Sequence, residues 1–200
     1  MCVLTAGLEV PIPTSPELVI VKERAPGTGS WYVQTTLIDG SLDYLLLEST
    51  AAKGNLNSYA ANLTATTFPS MQIGVGDTQD AYCFHSVDGY SKVGSYTGNG
   101  NADGTFVYTG FRPAMVIRKR ATDATGHWNI NDNKRIGYNG SGSNGVLYPN
   151  ATYTEADTDR VDLLSNGFKV RTVDTDVNAS GSTFIYIAFA ETPFKYSNAR

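Results

Sequence analysis

The chain is poor in charge, in cysteine and in histidine, and each shortage removes a class of protein. Of 200 residues only 17% are charged, against 41% hydrophobic and 11% aromatic. Long disordered tracts need the opposite balance, so a packed core is expected. The 15 basic and 19 acidic residues leave a net charge of −4. A basic footprint able to displace phosphate counterions is missing, which argues against nucleic acid as a partner. The one basic cluster, Arg118, Lys119 and Arg120, lies inside an alternating strand pattern. No apolar run approaches the roughly 18 residues that cross a bilayer, so no membrane insertion is expected. The opening MCVLTAG has neither the basic segment nor the apolar length of a secretory signal. Two cysteines, Cys2 and Cys83, cannot make a multi-bridge framework and match no metal motif. Synthesis in a reducing cytoplasm is the expectation.

What is abundant is turn chemistry. Gly, Ser, Thr and Asn fill roughly a third of positions, a composition of turns and strand edges. Between turn clusters lie short β-branched and aromatic runs: LVIVK (18–22), WYVQTTLI (31–38), YLLLEST (44–50), TFVYTGF (105–111), AMVIRKR (114–120), GFKVRTV (167–173) and TFIYIAFA (183–190). Their length and bounding residues predict an all-β protein. Residues 41–53 alone could pass for a helix by length and propensity; residues 155–164 carry too many Asp and Thr for a convincing one.

The chain also repeats itself. PELVIVKERAPGTGSW (16–31) aligns without a gap on PAMVIRKRATDATGHW (113–128), and seven of the 16 positions are identical, including Lys22/Lys119 and Trp31/Trp128. Chance would give about one. Val10 and Val107 extend the same offset of 97. DTQDAYCFHS (77–86) aligns on STFIYIAFAE (182–191) at an offset of 105, so the second copy carries eight extra residues, some of them in NGSGSNG (139–145). Upstream, CVLT (2–5) pairs with GSYT (94–97). The expected organisation is two tandem antiparallel β-sandwich domains, 1–91 and 92–200, concanavalin-like or jelly-roll-like. In the closing strand of copy two, Phe184, Tyr186 and Ala188 face one way and Ile185, Ile187 and Phe189 the other. That strand should be buried on both faces. The paired tryptophans are expected in cores.

The segments PELVIVKERAPGTGSW, DAYCFHSVDGYSKVGSYTGNGNADGTFVYTGFRPAMVIRKR and NASGSTFIYIAFAETPFKYSNAR resemble a family of tandem concanavalin-like β-sandwich modules. Those modules occur in tail-fibre and other virion-surface proteins of tailed, often marine, bacteriophages. The likeness runs almost unbroken through Tyr82–Pro113. It implies a β-sandwich fold and a place on the virion, and no catalytic residue is transferred by it. The family's modules usually sit within longer proteins, whereas two modules without an anchor for a baseplate or fibre shaft are the expectation here.

Chemistry has few candidates. His85 and His127 occupy non-equivalent positions; His85 is expected as a satisfied strand histidine and His127 as a solvated one. Neither a G-x-S-x-G elbow nor an H-E-x-x-H pair is present. Cys83 and His85 share a strand face, which packing also produces. Glu155, Asp157, Asp159 and Asp162 supply oxygen ligands suited to Ca²⁺ but not in EF-hand spacing, and are expected as solvated loop acids. GNGNADG (98–104) precedes a strand rather than a helix, so it is discounted as a phosphate cradle. The expectation is therefore no enzyme, no catalytic residue, no cofactor and no metal. Glycan recognition needs planar amides and aromatic faces, which the 131–144 loop offers; Arg135, Tyr138, Asn139 and Asn144 are the candidate glycan or partner contacts. Three functions follow: a virion tail-fibre or attachment component touching a host-surface glycan, a capsid-decoration or head-fibre protein, and a glycan-cleaving depolymerase, which has no positive support. A homo-oligomer, with a trimer favoured, packed among other virion chains is the expected assembly.

Overall fold

The computed structural model describes residues 14–25, 29–56, 63–69, 78–123, 126–135, 139, 145–157 and 160–193. Within them the protein is all-β, built of antiparallel sheets with one single-turn helix. The first half supplies β1 (Leu18–Ala25), β2 (Trp31–Thr35), β3 (Asp43–Leu46), β4 (Gly54–Asn55) and β5 (Thr78–Phe84), ordered β4-β3-β2-β1-β5 in one five-stranded sheet. The second half gives β6 (Ser91–Thr97), β7 (Phe106–Tyr108), β8 (Pro113–Arg120), β9 (Trp128–Asp132), β10 (Gly145–Val146), β11 (Ala156–Asp157), β12 (Val161–Leu164), β13 (Gly167–Val170), α1 (Thr175–Asn178) and β14 (Thr183–Ala190). Four of these form a sheet ordered β6-β14-β8-β9, three form β12-β13-β7, and β10 pairs with β11 alone.

Each of the seven runs read from the sequence contains a strand. The 41–53 stretch that could have passed for a helix holds β3 instead, and β4 follows directly after it. Its Asp43 pairs with Thr35 and Asn55, so sheet neighbours decide what propensity left open.

The repeat is visible in the pairing itself. In the first half Val19 stands opposite Gln34 and Cys83, and Ile20 opposite Val33 and Tyr82. In the second half Val116 stands opposite Asn131 and Ala188, and Ile117 opposite Ile130 and Ile187. Every one of these partners follows from the two sequence offsets. The extra residues can be located too. Val33 pairs with Leu45, whereas its equivalent Ile130 bridges to Leu147, so five of the eight lie between those positions. The proposed match of CVLT (2–5) with β6 lies outside the described residues.

Three layers stack, with the four-stranded sheet in the middle. One core joins the five-stranded sheet to it, with Leu18, Val33 and Leu45 against Trp128, Ile185 and Ile187. A second core joins its opposite face to β12, β13 and β7, where Phe168 and Val170 meet Phe184, Tyr186 and Ala188. The alternation of β14 is thereby explained: its odd and even positions enter different cores. Across the first interface Trp128 Nε1 donates to the Leu46 carbonyl at 2.9 Å, and Lys53 N donates to the Ala121 carbonyl at 2.8 Å. The far face of the first sheet, at Val19, Val21 and Ala81, is covered by Leu63 and Phe68. The tryptophans diverge from the shared core role expected for them. Trp128 is 2% exposed in the interlayer core, while Trp31 is 36% exposed and stacks on Tyr82 with centroids 6.4 Å apart.

The signature loop 98–104 has a structural job. Asn178, fully buried at the end of α1, donates through Nδ2 to Asn99 Oδ1 at 3.1 Å and to the carbonyls of Asn101 and Thr172 at 2.7 Å each. Its Oδ1 accepts from Asn99 N at 2.9 Å. Asn99 and Asn101 side chains in turn accept from backbone N–H groups two residues on, as Asx turns do. The loop is thus closed around a buried amide.

Candidate functional site

The two copies are alike in backbone pairing and unlike on one face. Where the first has Val21, Tyr32 and Gln34, the second has Arg118, Asn129 and Asn131. All three second-copy residues are buried on the face of the middle sheet turned toward the third layer. Arg160, just ahead of β12, joins them: its Nη1 donates to Asn129 Oδ1 at 3.2 Å, and its Nη2 pairs with Asp174 at 2.7 Å. Asp176 lies 3.8 Å from Nη1. The same guanidinium sits over the Tyr148 ring at 5.7 Å from its centroid.

Toward solvent, Tyr148 belongs to an aromatic cluster. The rings of His127, Tyr148 and Tyr153 meet edge to face in all three pairs, with centroids 5.4, 5.3 and 5.7 Å apart. Asn150 Nδ2 lies 3.2 Å from His127 Nδ1, and Asn150 Oδ1 accepts from Trp128 N at 3.0 Å. Tyr153 is 63% exposed. An edge-to-face arrangement holds the rings in fixed orientations, and an exposed ring held in this way offers a face on which a sugar can stack. Burial raises the Tyr148 phenol above its ordinary range, with Arg160 opposing, so the ring stays neutral at physiological pH. His127, expected in solvent, is half-buried here because Tyr148 and Tyr153 follow the five-residue insertion and fold back over it.

A family model described as a domain of unknown function, DUF7483, matches residues 4–193. The chain belongs to that family. The DUF7483 match spans both repeats, so the family unit is the pair. No curated protein matches the chain, and no solved structure does.

The residues singled out in the DUF7483 sequence are scattered by the fold. Arg135 pairs with Asp132 at 2.9 Å and with Glu155 at 2.5 Å, and these line an open pocket of about 430 Å³ together with Lys134. Asn139 lies exposed at φ 57°, a left-handed conformation that asparagine tolerates. Its side chain accepts from Leu163 N at 2.6 Å and donates to the Leu163 carbonyl at 2.7 Å, imitating a strand partner. That amide is committed to backbone. Tyr138 and Asn144 lie outside the described residues. Among the acids, Glu155 is held by Arg135, and Asp162 by Arg171 at 2.5 Å. The side chains of Asp157 and Asp159 lie outside the described residues, and no metal-holding group of three acids, histidines or cysteines occurs among the rest. His85, half-buried, places Nδ1 3.0 Å from the Ser86 carbonyl.

Sequence reasoning missed Tyr148, Tyr153 and Arg160. Their signal was present in the repeat: on this face Val21 and Tyr32 of copy one become Arg118 and Asn129 in copy two, beside Asn131 at a position that is polar in both copies. Reading the aligned copies for where they differ in polarity, rather than where they agree, would have pointed to this face.

Proposed function

We propose that this chain is a non-enzymatic structural protein on the exterior of a bacteriophage virion, a tail-fibre or attachment component that contacts a host-surface glycan. The observation that carries the reading is the exposed Tyr153 ring, held edge to face by His127 and Tyr148. Its virion setting rests on the resemblance through Tyr82–Pro113. The finer architecture of two tandem concanavalin-like sandwiches belongs to the same proposal. The face-to-face packing of the middle and third sheets supports one such sandwich, and the covered outer face of the first sheet supports another. Assembly as a homo-oligomer, a trimer first, goes with the virion setting.

The test is retention of the purified chain on host cells and on an array of host-surface glycans. Wild type should bind, and Tyr153→Ala should lose about tenfold in affinity, the scale of one aromatic contact. Tyr153→Ala binding as tightly as wild type, or no glycan retaining wild type, would refute the reading.

A second reading, capsid decoration or head fibre, is favoured by β7. This edge strand of the third sheet exposes Phe106 and Tyr108, the latter to 65%. Such rings suit contact with another chain. Copies per particle separate the two: on the order of hundreds fits a capsid lattice, a few tens or fewer fits a tail.

A further inference from the structure

The middle sheet carries two adjacent cations that no carboxylate touches among the described residues. Lys119 points into the first interlayer core, where Nζ donates to the carbonyls of Thr50, Ala51 and Arg120 at 3.3, 3.1 and 2.7 Å. Arg118 points to the opposite side and is fully buried. Its Nη2 donates to Asn131 Oδ1. The Tyr96 hydroxyl faces the same guanidinium as a neutral partner that brings no counter-charge, and among the described residues Arg118 Nε and Nη1 and Asn131 Nδ2 make no hydrogen bond of good geometry. The Asp174 carboxylate that lies nearby in charge is already engaged: Oδ2 by Arg160 at 2.7 Å, and Oδ1 by Asp176 N at 2.8 Å.

A buried guanidinium is costly unless a counter-charge and acceptors surround it. Unmet buried donors are correspondingly rare in folded proteins. The first copy shows that the sheet does not need a cation at this position, since Val21 fills it in an apolar cluster. Copy two thus holds a positive, donor-rich spot between two layers, with Lys119 one residue away adding to the potential.

We propose that a small monovalent anion, of chloride or carboxylate size, binds between the middle and third sheets against Arg118 and Asn131. Its charge offsets the guanidinium and its lone pairs accept from the unmet donors. Ligand and fold are then linked: the anion binds the native state alone and stabilises it in proportion to occupancy.

The experiment is urea unfolding of the full chain at constant ionic strength, with sodium chloride, formate or acetate replacing sodium gluconate, whose anion is too bulky to enter. Wild type should gain stability saturably, the unfolding constant falling about a hundredfold when the anion reaches 100 times its Kd. Arg118→Met, which keeps the side-chain length without the charge, should lose this dependence. Response to chloride alone marks a spherical site, response to formate as well a planar one, and either supports the proposal. Should Arg118→Met not fold, Arg118→Lys keeps the charge but not the guanidinium donors and should weaken the anion at least tenfold. Crystals grown with bromide should show its anomalous signal beside Arg118. Wild-type stability that ignores anion identity, a variant with undiminished response, or no bromide there would overturn the inference.

Discussion

Lys119 makes the stability of this protein depend on alkaline pH in a particular way. Burial lowers its pKa from 10.5 to about 8, with Asp176 opposing and Arg120 adding to the shift. A depressed lysine means that the unfolded chain holds the proton more tightly than the folded one. Between about pH 8 and 10.5 the unfolded state therefore binds more protons, and stability rises with pH across that window. The difference of about 2.5 units is worth up to ~3 kcal/mol, with a slope near ~1.2 kcal/mol per pH unit at its steepest. The perturbation is Lys119→Met. It removes the titration but leaves the carbonyls of Thr50, Ala51 and Arg120 without their donor, a loss of about 1–3 kcal/mol at all pH values. Net stability at pH 7 is thus a poor readout, and the slope is the informative one. Urea unfolding followed by tryptophan fluorescence at several pH values from 7 to 9.5 measures it, since Trp128 sits in the same interlayer core. Wild type should stabilise by about 1.5–2 kcal/mol relative to the variant over that range. Parallel curves for the two proteins would refute the argument. Above pH 10 the trend should reverse, because burial holds Tyr96 and Tyr186 at about 12 and the unfolded chain then ionises first.

Other expectations are quicker to test. Trp128→Ala should cost about 3–5 kcal/mol in chemical denaturation by emptying the interlayer core, while Trp31→Ala should cost under about 1, despite their equivalence in the repeat. Asn178→Ala should cost about 2–4 kcal/mol by releasing its partners at Asn99, Asn101 and Thr172, and amide exchange in 98–104 should accelerate. Gly167→Ala should destabilise by more than ~1 kcal/mol, because a Cβ there would stand 2.1 Å from the Val107 carbonyl oxygen and force β13 from β7; thermal unfolding reads it.

Much of the architecture was open to reading because strands announce themselves locally. TFIYIAFA has apolar or aromatic residues on both of its alternating faces, and β14 is indeed covered on both. The repeat offsets carried pairing information as well, since a register shared by two copies is a register constrained twice. What stayed hidden was how layers meet. Arg118 and Lys119 look like surface charge in sequence, and alternation says only that they face opposite ways; with sheets on both sides, both become interior. The site was less legible than the fold. Arg135 and Asn139 had the right chemistry, but ion pairs and a backbone clamp consume it. His127, Tyr148 and Tyr153 are separated by up to 26 positions and an insertion, and only the return of the chain to β9 assembles them.

The interlayer core has one further property. Ile20 and its equivalent Ile117 both pack in it, as do Phe84 and Phe189, so the two repeats meet through the same face of the same module. Self-contact of this kind is what a two-fold homodimer uses, in which each copy must satisfy its own surface. A duplication that tethers the copies in one chain removes that constraint. One member can then change its distal side without imposing the change on the other. Val21 and Tyr32 standing where copy two has Arg118 and Asn129 is the mark of such released symmetry: the face held in common stays mainly apolar, and a single copy is free to carry a charge on its distal side.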